Sequence, residues 1–242
     1  MQHNFTQPEL NSLWTDYNQM RLRGDKQSAK RLLTNFIALL KQADPDSRQA
    51  FVDTICQSIL DQTGFIANNG TEVSGQPIRI QHSLFREIIL PVLSEQYSKN
   101  SAIHIRWIAQ FEQFFYADHR MTQEFLQKIE ALYPFDSISF LKKSYAISAN
   151  AQTLDMLLQR MQQDIEFAIH EMPVGVLVEP VVFTQMIQSF KDHWEESAQQ
   201  EKWQLRLKDW VRIAALWQKY HEGEHQAYSF EDFTQENGPE GT

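Results

Sequence analysis

Apolar positions recur every three or four residues along most of this 242-residue chain, the spacing of amphipathic helices. Thr6-Gln-Pro-Glu9 reads as a capping box with proline in the first turn, followed by Leu10, Leu13, Trp14 and Tyr17, and Gly24 ends that helix. A second helix is expected from Asp25 to Ala43, with Leu32, Leu33, Phe36, Ile37, Leu39 and Leu40 on one broad face. Asp44-Pro-Asp46 then opens a third, to about Asp61. From Thr63 to Gln81 the helical period lapses among Gly64, Asn68, Asn69, Gly70, Gly75 and Pro77, which predicts a long loop closing on one short extended piece at 77–81. Helices resume at Ser83 to Ser98, with a kink expected at Pro91, and at Ser101 to Ala117, where Ile103, Trp107, Ile108, Phe111, Phe114 and Phe115 stack.

Further helices are predicted at Thr122 to Leu132, Asp136 to Ser148 and Ala151 to Met172. Pro180 opens a last stretch running toward His221, which the polar run from Glu195 to Lys202 is placed to divide. There Trp203, Leu207, Trp210, Ala214, Trp217 and His221 recur at steps of four and three and form one stripe, so they must be buried against something. The chain's own helices, a second copy in a homodimer and a partner's groove are the three fits, and tryptophan anchors suit the last two. Tyr228, Phe230 and Phe233 follow, expected to dock as a short segment or to serve as a motif for a partner.

The pattern defines an all-α class, antiparallel helical hairpins stacked as an irregular, solenoid-like bundle. Residues 1–221 form one expected domain, with two lobes meeting near Pro134 as its subdivision, and 222–242 a flexible acidic tail. Composition agrees: 42% of residues are hydrophobic, enough for a sizeable core, and 8 Gly with 8 Pro are few for a protein built on tight turns.

Charge narrows the partners. The chain carries 31 Asp and Glu against 22 Lys and Arg, a net −9, so its mean field repels nucleic-acid backbones and anionic lipid and draws basic proteins. The lone Cys56 lies in an apolar series and forms no internal disulfide, reading as a small buried hydrophobe. The longest apolar run, at 88–93, is far short of a membrane span. A reducing cytoplasm fits these features, and no cofactor is expected.

Ser137-Ile-Ser-Phe-Leu-Lys-Lys-Ser-Tyr-Ala-Ile-Ser-Ala-Asn150 resembles the second helix and turn of a tetratricopeptide repeat, with small Ser137 and Ser144 flanking Leu141 and Ala149-Asn150 at the turn. The resemblance covers about half of one repeat, and what it implies is a stack of helical hairpins that binds proteins along a concave face.

His221-Glu-Gly-Glu-His225 satisfies H-E-x-x-H and resembles the zincin metalloprotease motif. That resemblance implies a zinc held by His221 and His225, with Glu222 activating a bound water. Gly223, a helix weakener, and the charged Glu224 depart from the motif's usual interior, and it falls where the helix should end. Glu166 with His170, His104 with Arg106, and Asp118-His-Arg120 read as ordinary polar surface. Arg21, Arg23, Lys26, Lys30 and Arg31 form a small basic group able to meet a phosphate, a solvated face being its simpler reading. The P-loop, Rossmann and nucleophile-elbow signatures do not occur.

The expectation is therefore a non-catalytic protein that binds another, basic protein, in concrete form a bacterial immunity or antitoxin-type inhibitor of a basic toxin. A zinc-dependent hydrolase and a helical-repeat adaptor are the alternatives.

Overall fold

A computed structural model of the chain describes residues 8–63, 71–73, 76–78, 80–172, 178–223, 227 and 229–237. It is all-α apart from one small hairpin. Two compact units divide between Ser148 and Ala149, beyond the Pro134 region where the sequence suggests a seam; the Tyr133–Pro134 peptide bond is cis.

The first unit begins with α1 (Pro8–Leu22), α2 (Lys26–Gln42) and α3 (Pro45–Thr63). Gly24 sits at φ 78 between the first two, where the Asp25 N–H reaches back to the Met20 carbonyl, a closure that a left-handed residue permits. Asp25 and Asp44 then cap α2 and α3 by accepting from the Ser28 and Ser47 backbone N–H groups. Trp14, Phe36 and Phe51, one from each helix, meet at ring-centroid distances of 5.0–5.3 Å and fix the stack. Residues 64–70 of the expected loop lie outside the described residues. Its later part is not one extended piece but two: β1 (Thr71–Val73) pairs antiparallel with β2 (Gln76–Ile78), because a strand's backbone groups need a partner.

Next come α4 (His82–Leu84), a π-helical segment (Phe85–Ile89) and α5 (Leu90–Ser98), which run on continuously. The irregularity expected at Pro91 falls one turn earlier. Proline has no N–H to give the Glu87 carbonyl, and the ladder widens just before it, with the Leu90 N–H donating to the Phe85 carbonyl. The predicted helix at 101–117 is two, α6 (Ala102–Gln110) and α7 (Glu112–Ala117), hinged at Phe111 with φ −88 and ψ 14. That hinge lets Phe111, Phe114 and Phe115 all pack round Phe85, at 5.0, 4.4 and 5.6 Å. Asp118 caps α8 (His119–Lys128), and the Met121 N–H it accepts holds its carboxyl below the usual range. In α9 (Ser137–Ile147), Ser137 and Ser144 are both buried, and the Ser144 hydroxyl donates to the Ala102 carbonyl at 2.8 Å, so two small side chains bring α9 close onto α6.

The second unit holds α10 (Ala151–Glu171), α11 (Pro180–Trp194), α12 (Gln200–Glu222) and α13 (Phe230–Asn237). Asn150 caps α10, accepting from the Thr153 N–H. The polar run at 195–202 does divide the last stretch. The segment read as a flexible tail is corrected in part: Phe230–Asn237 is helical, since Phe230 and Phe233 bury there.

Candidate functional site

The aromatic stripe of α12 is interior. Trp203, Trp210 and Trp217 are 0%, 3% and 1% exposed. Phe190 of α11 meets Trp203 at 5.3 Å and Trp210 at 5.1 Å, both edge to face. The indole N–H groups of Trp203 and Trp217 donate to the Ser197 hydroxyl and the Val178 carbonyl, so burial leaves both donors satisfied. Phe230 lies 4.8 Å from Trp217, and Phe233 lies 5.7 Å from Tyr220. Of the fits open to these five residues, named as candidate binding residues, the unit's own core is the one they take, the outcome an apolar stripe reaches whenever neighbouring helices can cover it. Tyr228 lies outside the described residues.

The H-E-x-x-H motif falls only partly on the described residues. The α12 helix stops at Glu222, and Gly223 turns left-handed at φ 75, a conformation that caps a helix rather than extending it. His221 is exposed, its ring edge on Trp217 at 4.4 Å, and His225 lies outside the described residues. Among the described residues no group of three His, Cys, Asp or Glu is placed to hold a metal ion.

What α12 does present is its other face. Leu205 is 69% exposed and Val211 42%, and with Glu201, Gln204 and Lys208 they line a shallow groove of about 640 Å³. Phe167 on α10 is 62% exposed, in the same turns as Asp164, Glu166 and Glu171. These are the residues missed from sequence. Their signal is an apolar residue one or two positions off a buried stripe, as Leu205 is to Trp203 and Val211 to Trp210. Glu166, paired above with His170, instead bridges to Arg206 and accepts from Gln162, while His170 is exposed.

The charge is divided unevenly. Residues 1–148 contain 15 Lys and Arg and 15 Asp and Glu, whereas residues 149–242 contain 7 and 16. The whole net charge of −9 thus belongs to the second unit.

In the first unit Asp118-His-Arg120 is largely surface, whereas His104 and Arg106, also read as surface, are buried cross-links. His104 is 5% exposed; its Nε2 lies 2.8 Å from an Asp53 carboxylate oxygen and its Nδ1 lies 2.6 Å from the Ser101 hydroxyl. One imidazole proton satisfies both contacts when Nε2–H donates to Asp53 and the hydroxyl donates to Nδ1. Arg106 and the Trp107 indole both donate to the same Asp61 oxygen, at 2.6 and 3.0 Å. The hydroxyl, imidazole and carboxylate stand in the order of a nucleophile, a base and its orienter. Neither the α12 groove nor the cavity beside Tyr17 is lined by them, and they fasten α6 to α3. Of the basic group at the first hairpin, Arg21, Lys26 and Lys30 share that second cavity, and Arg23 and Arg31 do not line it.

No protein-family model, no curated protein and no solved structure matches the chain. Among the described residues no helix is long and apolar enough to cross a membrane.

Proposed function

We propose that the protein is a non-catalytic, cytoplasmic protein-binding protein that takes a basic protein partner on its second unit, in concrete form an inhibitor of the immunity or antitoxin type that masks a basic toxin. The observation that carries this is the concentration of the entire −9 in residues 149–242. A field gathered on 94 residues steers a cationic partner more strongly than the same charge spread over the chain. Exposed Phe167, Leu205 and Val211 lie on the helices that carry that charge, and they supply the apolar contact that steering alone does not.

Affinity capture from the native cell supplies the partner, and its association is then timed at several salt concentrations. The expected partner is basic, and its association rate falls by about tenfold or more between roughly 0.05 and 0.5 M salt as the charges are screened. Leu205→Ser with Val211→Ser speeds dissociation while leaving the salt dependence of association in place. An acidic partner, or an association rate indifferent to salt, overturns the proposal.

A further inference from the structure

The second unit shows solvent two apolar features of opposite shape. On α10 the Phe167 ring stands 62% exposed, and on α12 Leu205, Val211 and the more deeply set Leu207 line the groove of about 640 Å³. A projecting ring and an apolar recess complement each other.

Their charges are complementary too. The α10 helix carries four Asp and Glu against one Arg, whereas α12 carries five Lys and Arg against three Asp and Glu, so most of the unit's seven cations stand on the groove's helix. Near Phe167, Asp164 is held by Arg160 at 3.3 Å and Glu166 by Arg206. Glu171, one turn beyond Phe167, has no cation within 4.0 Å among the described residues. Lys208 lines the groove and exposed Arg212 follows one turn on, and among the described residues neither has a carboxylate within 4.0 Å. Glu201 lines the groove two turns before Lys208, so its two ends differ in sign.

A chain's own Phe167 does not fill its groove. Arg206 reaches Glu166, which sets α10 on the Arg206 side of α12. Gln204, Lys208 and Val211 stand about 140–160° round the helix from Arg206, so the groove opens away from α10.

We propose that the second unit self-associates head to tail, with Phe167 of one copy entering the α12 groove of the next and its Glu171 meeting Lys208 and Arg212. The two surfaces are different, so the contact is heterologous. Apolar burial supplies the affinity and the local charges set the register. The net −9 on each copy opposes the approach, so salt favours self-association, the reverse of its effect on a basic partner. One consequence rests on the protein-binding reading: self-association covers Phe167, Leu205 and Val211, so the partner competes with it. The self-association itself does not rest on that reading.

Sedimentation velocity of the full-length protein tests this. In about 0.2 M salt the average mass is expected to rise with concentration between about 5 and 500 µM, and to fall at fixed concentration when salt drops to about 0.02 M. Phe167→Ser removes the ring and Leu205→Ser with Val211→Ser spoils the groove. All three positions are exposed, so helical circular dichroism is expected to stay unchanged while each variant alone associates about tenfold or more weakly. Mixed in equal amounts, the first variant offers a groove and the second a ring, and they form a one-to-one dimer that cannot extend. A wild-type protein that stays monomeric throughout, a variant that associates as the wild type does, or a mixture that yields no dimer overturns the proposal. These readouts use the protein alone, so failure to capture a basic partner leaves them intact.

Discussion

Cys56 illustrates how one residue's chemistry is decided by its surroundings. Its side chain is fully buried on α3, and burial, reinforced by the Asp53 and Asp61 carboxylates, pushes its thiol well above the ordinary value. A raised value means less thiolate at any given pH, and the thiolate is the reactive form. At pH 8 a disulfide reagent is therefore expected to modify the native protein about a hundredfold or more slower than the denatured chain, followed by absorbance. Rapid native labelling would place the sulfur at the surface. The sign for stability also follows: the folded state holds the proton more tightly, so the contribution is complete below about pH 8.5 and diminishes as pH rises beyond it. The apolar series around Cys56 makes its burial legible in sequence. The carboxylates' other roles are not legible, because Asp53 and Asp61 find His104 and Arg106 from another helix, about fifty positions along the chain.

Helices are the most readable scale because their signals are local. Caps at Asp25, Asp44 and Asn150 and the left-handed Gly24 and Gly223 all act within a turn of where they stand. The misreadings come where packing overrides local preference. The break at Phe111 exists so that three phenylalanines can reach Phe85, and α13 forms because Phe230 and Phe233 have Trp217 and Tyr220 to cover. A related conflict lies at the end of α8. Glu130 adopts φ 56, and the N–H of the next residue, Ala131, reaches back to the Leu126 carbonyl, a closure normally given to glycine. Glu130→Gly is thus expected to stabilise the first unit by about 1 kcal/mol, and Glu130→Ala to give no such gain. Denaturant unfolding measures both; a destabilising glycine would show that the side chain contributes more than its backbone strain costs.

For the whole molecule, charge separates the two units more sharply than secondary structure does. With 16 acidic against 7 basic residues, the second unit repels itself, whereas the balanced first unit does not. Raising salt from about 0.01 to 0.2 M shortens the Debye length from about 30 Å to below 8 Å. Amide hydrogen exchange in α10–α12 is then expected to slow markedly more than in α1–α3. Equal response in both units would mean that local ion pairs, such as Glu166 with Arg206, already neutralise the repulsion.

By itself the amino-acid order determined the all-α class, most helix limits, the burial of the α12 stripe and the sign of the charge, since periodicity, caps and ionisable groups are properties of neighbouring positions. Tertiary structure alone decided that the division falls after Ser148, that α12 turns Leu205 and Val211 outward, and that residues 17–33 share a cavity with residues 81–83. Those outcomes depend on which helices pack together, and contacts across tens of residues leave no periodic trace in the chain.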